Sequence, residues 1–258
     1  MPQKVGPLIE FSNQSDKPLV ALVVGAGGGI GSAVARGFRD NGVEVAHADQ
    51  EGADREERPQ SKETADLAWF NIDACNEASV GRLVEAVVER FGRLDFLVNA
   101  AGITGHGRLD ETSLGDWQRV MDTNLTSCFL LCRAAYPHLK ASRGAVALIG
   151  SSNGVNGGSH LSGPAYAVAK AGIHNLTRYL AKEWAADGIR INAVAPGPID
   201  TPMLDRLTEA QHTRLREIVP LGRYGRAEEV AANILFLCSS GSAWQTGTIV
   251  NISGGMVL

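Results

Sequence analysis

The stretch Val24-Gly25-Ala26-Gly27-Gly28-Gly29-Ile30-Gly31 decides how the chain is read. The apolar run Leu19–Val24 leads directly into it, and Ile30, Val34 and Phe38 lead out at helical spacing. A strand, a glycine-rich turn and a helix therefore follow one another. The turn lacks the Lys-Ser/Thr that closes a P-loop, and Ile30 breaks a G-x-G-x-x-G spacing. What remains is G-x-x-x-G-x-G at Gly25, Gly29 and Gly31. Glycine allows a sharp turn and close backbone approach. The helix that follows directs N–H groups and its positive dipole end at an anion. A pyrophosphate suits that cradle; a tight turn without a ligand is the plainer alternative.

Beyond the turn, short β-branched runs alternate with longer segments of helical period. The expected strands are Leu19–Val24, Val43–Ala48, Leu67–Ile72, Leu94–Val98, Ala145–Ile149, Ile191–Val194 and Thr248–Ile252. Several are apolar throughout, as strands buried on both faces are. Helical stripes fall between them, for example Val80, Leu83, Val84 and Val87, and Ala165, Ala169, Ile173, Leu180 and Trp184. The fold class expected is α/β: a single doubly wound, Rossmann-type domain of about seven parallel strands flanked by helices on both faces. Residues 1–17 are polar and aperiodic and read as an N-terminal tail, with the domain over 18–258. Residues 197–223 hold three prolines and little periodicity, and read as a lid.

Composition narrows the function. Hydrophobic residues make up 44% and charged residues 20%, so the chain is expected to fold as an ordinary globular protein. A net charge of −4 gives no electrostatic footprint for nucleic acid or an anionic membrane. No apolar run approaches a membrane span, and the first residues do not read as a secretory signal. Cys75, Cys128, Cys132 and Cys238 form no C-x-x-C pair and read as free thiols in a reducing, cytoplasmic setting. No His/Cys/Asp set has metal-site spacing, so no metal is expected.

Six further positions carry chemistry. Asp49 closes the second expected strand, 18 residues after Gly31. A carboxylate there accepts hydrogen bonds from an adenosine ribose and repels a 2′-phosphate, so NAD is expected over NADP. Tyr166 and Lys170 are one helical turn apart and share a face. A neighbouring ammonium favours the phenolate, which can exchange a proton with an alcohol. The same spacing also fits a plain amphipathic helix edge. Ser151 and Ser152 follow the strand Ala145–Ile149, where open α/β sheets bind ligands; Ser152 is taken as the substrate-orienting hydroxyl. Asn124 falls mid-helix on a buried stripe and needs hydrogen-bond partners there.

Together these residues resemble the short-chain dehydrogenase/reductase family over nearly the whole chain, from Leu19 to Gly255. The glycine turn matches that family's T-G-x-x-x-G-I-G, with Val24 in place of Thr. Asp73 resembles its adenine-contacting aspartate, and Asn99-Ala100-Ala101-Gly102 its N-N-A-G segment. Tyr166-x-x-x-Lys170 matches its active-site helix, and Pro196-Gly197-Pro198-Ile199-Asp200-Thr201 its segment beneath the nicotinamide. The family serine lies 13 residues before the tyrosine, whereas Ser152 lies 14 before Tyr166, which leaves Ser151 and Asn153 as substitutes.

The resemblance implies hydride transfer between NAD and a small secondary alcohol or ketone. Tyr166 would be general acid/base, Lys170 its activator and a ribose ligand, Ser152 the oxygen-orienting group and Asn124 the holder of a relay water. Gly25, Gly29, Ile30, Gly31, Asp49, Asp73, Asn99, Ala101, Gly102, Pro196, Gly197, Ile199 and Thr201 would hold the cofactor. His106, Asn153, His160 and Met203 would line the substrate end. A homotetramer or homodimer is implied as well. Two other readings compete: an NADPH-dependent 3-oxoacyl-(acyl-carrier-protein) reductase with a basic docking patch, and a cofactor-sensing scaffold without turnover.

Overall fold

The computed structural model of the protein describes residues 9–11, 17–50 and 67–258. Seven strands, β1 Val20–Val24, β2 Glu44–Asp49, β3 Ala68–Asn71, β4 Phe96–Asn99, β5 Ala145–Ile149, β6 Arg190–Pro196 and β7 Ile249–Ile252, form one sheet. Its order is β3-β2-β1-β4-β5-β6-β7, and every pairing is parallel. All seven lie where the apolar runs place them. The helices are α1 Gly29–Asp40, α2 Glu77–Phe91, α3 Leu114–Met121, α4 Ser127–Ser142, α5 Asn153–Asn156, α6 Pro164–Trp184, α7 Glu209–Glu217 and α8 Ala227–Cys238.

The buried strands explain the layering. Successive side chains of β1 enter opposite cores: Val20, Leu22 and Val24 one, Ala21 and Val23 the other. The first core is closed by α2, α4 and α6 through Val84, Leu131 and Ile173. The second is closed by α1 and α8 through Phe38 and Ile234. Because β2 and β3 lie on one side of β1 and β4 to β7 on the other, the winding of the chain across the sheet reverses between β1 and β4. A crevice opens there at the strands' carboxyl ends.

Three differences from the sequence reading are physical. The expected tail is docked at residues 9–11, where Phe11 packs 5.5 Å from Phe38 and 5.4 Å from Phe96; residues 1–8 and 12–16 of that tail lie outside the described residues. The helix expected through Asn124 contains a π turn, Asp122–Thr126, between α3 and α4. The lid carries a helix, α7, which buries no side chain and so lacks an apolar stripe. Thr208 starts it with a capping box to Gln211. No described helix is long and apolar enough to cross a membrane.

The glycine turn makes a sharp stability test. A Cβ on Gly31 would stand 2.0 Å from the Gly25 carbonyl oxygen, whereas one on Gly28 meets nothing within 4 Å. Gly31→Ala should therefore lose about 1–3 kcal/mol in urea unfolding, and Gly28→Ala should stay within about 0.5 kcal/mol of the parent. Equal midpoints for the two variants would refute this packing.

Candidate active site

The carboxyl ends of β1, β4, β5 and β6 open on a cleft of about 1550 Å³. One half is built on the glycine turn. Gly25 adopts φ +78°, and a Cβ there would lie 2.5 Å from the Ala101 nitrogen, so only glycine lets β1 and β4 meet this closely. Gly29 adopts φ +51° and faces the Thr201 methyl group. The first turn of α1 carries no carboxylate, and its N-cap, Gly28, offers no side chain to cover the helix end. A diphosphate fits this cradle by charge and by space.

Asp49 ends β2 at the rim. Its carboxylate accepts from the Gly27 amide at 2.7 Å and the Gln50 amide at 2.8 Å. That ties the acid to the glycine turn. Asp73 lies farther along the same wall with Ile72 and Ala74, and accepts from the Cys75 amide at 3.0 Å. A nucleoside with free ribose hydroxyls suits these two acceptors.

The other half gathers Ser151, Tyr166 and Lys170. Gly150 and Ser151 follow β5 directly, and Ser151 lies beside the Tyr166 phenol on the cleft wall. The serine oxygen is also fixed from below by the Asn153 amide at 3.1 Å. Ser152, the expected partner, is instead buried against β6, its amide donating to the Pro196 carbonyl at 2.8 Å. Ser152 also lines the cleft, but Ser151, the substitute left open by the spacing, is the serine set beside the phenol. Lys170 is buried one turn below Tyr166. Its Nζ donates to the Ile149 carbonyl at 2.8 Å and stands 5.4 Å from the Tyr166 ring centroid.

Electrostatics here depart from the expectation. Burial raises the Tyr166 pKa; the nearby Ser151 hydroxyl and the Arg206 guanidinium lower it without reversing the shift. The acidified phenol expected from Lys170 is thus not present in the protein alone. Burial also brings Lys170 down to about 8. One turn farther, His174 is held neutral at about 4, first by burial and then by Arg178 and Lys170. It packs against Gly150, where a Cβ would lie 2.2 Å from its Nε2.

Asn124 owes its position to the π turn. Its Nδ2 donates to the Val120 and Ile103 carbonyls, both at 2.8 Å. Its Oδ1 is buried without a partner, close behind Gly102 and near Lys170. A water molecule would satisfy that atom.

Gly25, Gly29, Ile30, Asp49, Asp73, Ala101, Gly102, Pro196, Gly197, Ile199 and Thr201 line the cleft as expected, with Asn153, His160 and Met203 at the substrate end. Three residues expected against cofactor or substrate do not line it. Gly31 packs on Gly25. Asn99 lies behind the wall, bonding Ser127 at 3.0 Å and the Ala101 amide at 3.1 Å. His106 is exposed and acts on Asp116. Sequence reasoning kept Ser151 as an alternative to Ser152 and missed His174 and Arg206. His174 was signalled by extending Tyr166 and Lys170 by four residues.

A family model described as enoyl-(acyl carrier protein) reductase matches residues 25–257. The chain is 36% identical to the 3-oxoacyl-(acyl-carrier-protein) reductase of Thermotoga maritima, over 93% of this chain and 98% of that one. It is 38% identical to the cis-4-hydroxycyclohexanecarboxylate dehydrogenase of Sinomonas cyclohexanicum, over 92% and 95%. A solved structure titled "Crystal structure of gox2181" superposes with a TM-score of 0.88 at 32% identity, covering 93% of this chain and 96% of that one.

Burial of Lys170 has a pH signature. Its folded pKa of about 8 lies below the usual 10.5, so between these values the unfolded chain binds more protons. Stability should rise with pH through that window. Lys170→Met should be more stable than the parent by about 1–3 kcal/mol at pH 7, the gap narrowing from pH 8 towards 10.5. A gap that does not change with pH in urea titrations would contradict the burial.

Proposed function

The chain belongs to the short-chain dehydrogenase/reductase family, and on that premise we propose that it is an NAD-dependent oxidoreductase interconverting a small secondary alcohol and its ketone. The observation that carries the reading is the pairing of Ser151 with the buried Tyr166 phenol, one turn from Lys170, on the same cleft as the glycine cradle and Asp49. A scaffold that only senses cofactor has no use for such a pair.

The roles follow from the chemistry of each group. Ser151 donates to the substrate oxygen and holds it against the phenol. Tyr166 takes the hydroxyl proton during oxidation and returns it during reduction; its raised pKa keeps the proton in place until a ligand changes the surroundings. Lys170, fixed by the Ile149 carbonyl, places a cation beneath the ring and a donor towards a ribose. Asn124 offers Oδ1 to a water that links Lys170 to the interior. When bound, a nicotinamide dinucleotide accepts the hydride from the carbinol carbon or gives it back. Gly25, Gly29 and the start of α1 would hold its diphosphate, Asp49 and Asp73 its adenosine, and Thr201 its carboxamide.

Asp49 supports NAD: a 2′-phosphate would meet a carboxylate already fixed on Gly27. The second reading, an NADPH-dependent 3-oxoacyl-(acyl-carrier-protein) reductase, is favoured by the name of the Thermotoga relative. The name of the Sinomonas relative favours a cyclic secondary alcohol. A homotetramer or homodimer belongs to the same proposal. Phe129 on α4 and Val168 and Tyr179 on α6 are large apolar side chains left exposed. A cytoplasmic setting is supported by the buried free thiols Cys128, Cys132 and Cys238.

A panel of secondary alcohols screened for NAD reduction tests the reading. Tyr166→Phe should lose about a thousandfold or more in kcat/KM while binding NAD within about threefold of the parent. Ser151→Ala should lose about a hundredfold, and Ser152→Ala far less. Turnover by Tyr166→Phe at the parent's rate would end the assignment. Asp49→Ala should narrow the NAD over NADP ratio about tenfold or more, and an unmoved ratio would remove Asp49 as the selector.

A further inference from the structure

The two ends of the cleft differ in charge. Its carboxylates, Asp49 and Asp73, both lie at the nucleoside end. The substrate end is lined by Arg206, Arg214, His160 and Gln211, with no acidic residue among the described ones. Asp200, Asp205 and Glu209 belong to the same lid segment but do not line the cleft, and Glu209 is engaged by Arg216 at 3.0 Å. Arg206 makes no ion pair among the described residues.

Arg206 is positioned rather than free to wander. It follows the turn Pro202–Leu204, and its Nη2 donates to the Leu161 carbonyl at 2.5 Å. That bond ties the lid to the loop between Ser151 and Tyr166. The guanidinium lies close enough to the reacting phenol to favour its anion. A positive charge so near the hydride-transfer point, with no protein anion beside it, suits an anion on the substrate.

We propose that the physiological substrate carries a carboxylate a few bonds from its reacting alcohol or ketone, and that Arg206 on the lid reads that carboxylate. The inference rests on the oxidoreductase reading and adds the substrate class to it. A guanidinium fork pairs with a carboxylate through two parallel hydrogen bonds, and the Leu161 anchor orients the fork beforehand. Closure over the substrate removes water and strengthens the pair. A 3-oxoacyl thioester fits less well. It is neutral around its ketone, and its phosphate lies at the far end of a long pantetheine arm.

The test compares matched pairs of secondary alcohols, each as the free acid and as its methyl ester: 3-hydroxybutyrate, 4-hydroxypentanoate and 4-hydroxycyclohexanecarboxylate. A neutral 3-oxoacyl N-acetylcysteamine thioester with NADPH forms a further arm. In the parent enzyme the best acid should exceed its ester about tenfold or more in kcat/KM. Arg206→Met should bring that ratio towards one, mainly through KM; Arg206→Lys should keep part of it, and Arg206→Glu should invert it. The ratio cancels any common effect of Arg206 on the Tyr166 proton. An unchanged ratio in Arg206→Met, or a parent enzyme that prefers the esters or the thioester, overturns the proposal.

A binding measurement covers the case in which the parent turns over none of the pairs. NADH fluorescence is titrated with cyclohexanecarboxylate and with cyclohexanecarboxamide, in the parent and in Arg206→Met. Tighter binding of the carboxylate by the parent alone supports the proposal. NADH binding without carboxylate preference overturns it while leaving the cofactor site standing. Failure to bind either NADH or NADPH overturns the oxidoreductase reading and this inference together.

Discussion

The close approach of two backbones at Gly25 is the constraint on which the site depends. The Gly25 and Ala26 amides both donate to the Ala48 carbonyl, at 2.8 and 3.2 Å, while the Ala100 amide donates to Val24 at 2.8 Å. The ends of β1, β2 and β4 are thereby joined within a few residues. Any side chain at Gly25 would enter the backbone of Ala100 and Ala101, and any at Gly31 would enter Gly25. The junction also explains how Asp49 reaches the Gly27 amide: the end of β2 is already bonded to the turn. Cofactor cradle and acidic rim are one hydrogen-bonded unit.

The reacting end uses the same device on the next strands. β5 stops at Ile149, whose carbonyl captures Lys170, and Gly150 leaves room for His174 beneath. Ser151 then emerges beside Tyr166. A lysine, a phenol and an imidazole are desolvated on one face of α6, and burial dominates the pKa of each. His174 remains neutral under these conditions, so Lys170 is not faced by a second cation from below. An unpaired buried ammonium is unfavourable by several kcal/mol, and its single carbonyl bond leaves donors for other ligands. The site thus holds binding capacity that the fold itself does not use.

Much of this was legible in the sequence because strand and helix periods carry it. Seven apolar runs became seven strands, and Tyr166 and Lys170 share a face because they are four residues apart on a continuous helix. What was not legible depends on loops and local irregularity. The family count of 13 back from Tyr166 falls on Asn153, so the choice among Ser151, Ser152 and Asn153 stayed open: an insertion in 153–163 changes the count without changing any period. The Asn124 side chain finds its carbonyl partner at Ile103, twenty-one residues away, and no local pattern reports that contact or the π turn. Asn99 looked like a ligand because of its motif, yet its amide is consumed by Ser127 and Ala101. α7 was hidden because a helix that buries no side chain fully has no apolar stripe to detect.

Charge along the cleft completes the argument for orientation. A dinucleotide that placed its ribose at the arginine end would leave Asp49 and Asp73 without the donors they are arranged to meet. One that placed its diphosphate away from α1 would forfeit the helix end. On the proposed reading, the glycine junction would set where a nucleotide's diphosphate lies, and the sheet direction would bring its other end beside Tyr166. Whatever occupies the remaining space meets Ser151 at one side and Arg206 at the other. The lid reaches that point only because Arg206 is bonded to Leu161, in the loop that carries the chain from Ser151 to Tyr166. Lid position, serine turn and phenol are linked through that loop, so a ligand that engages the lid also acts on the groups that handle its proton.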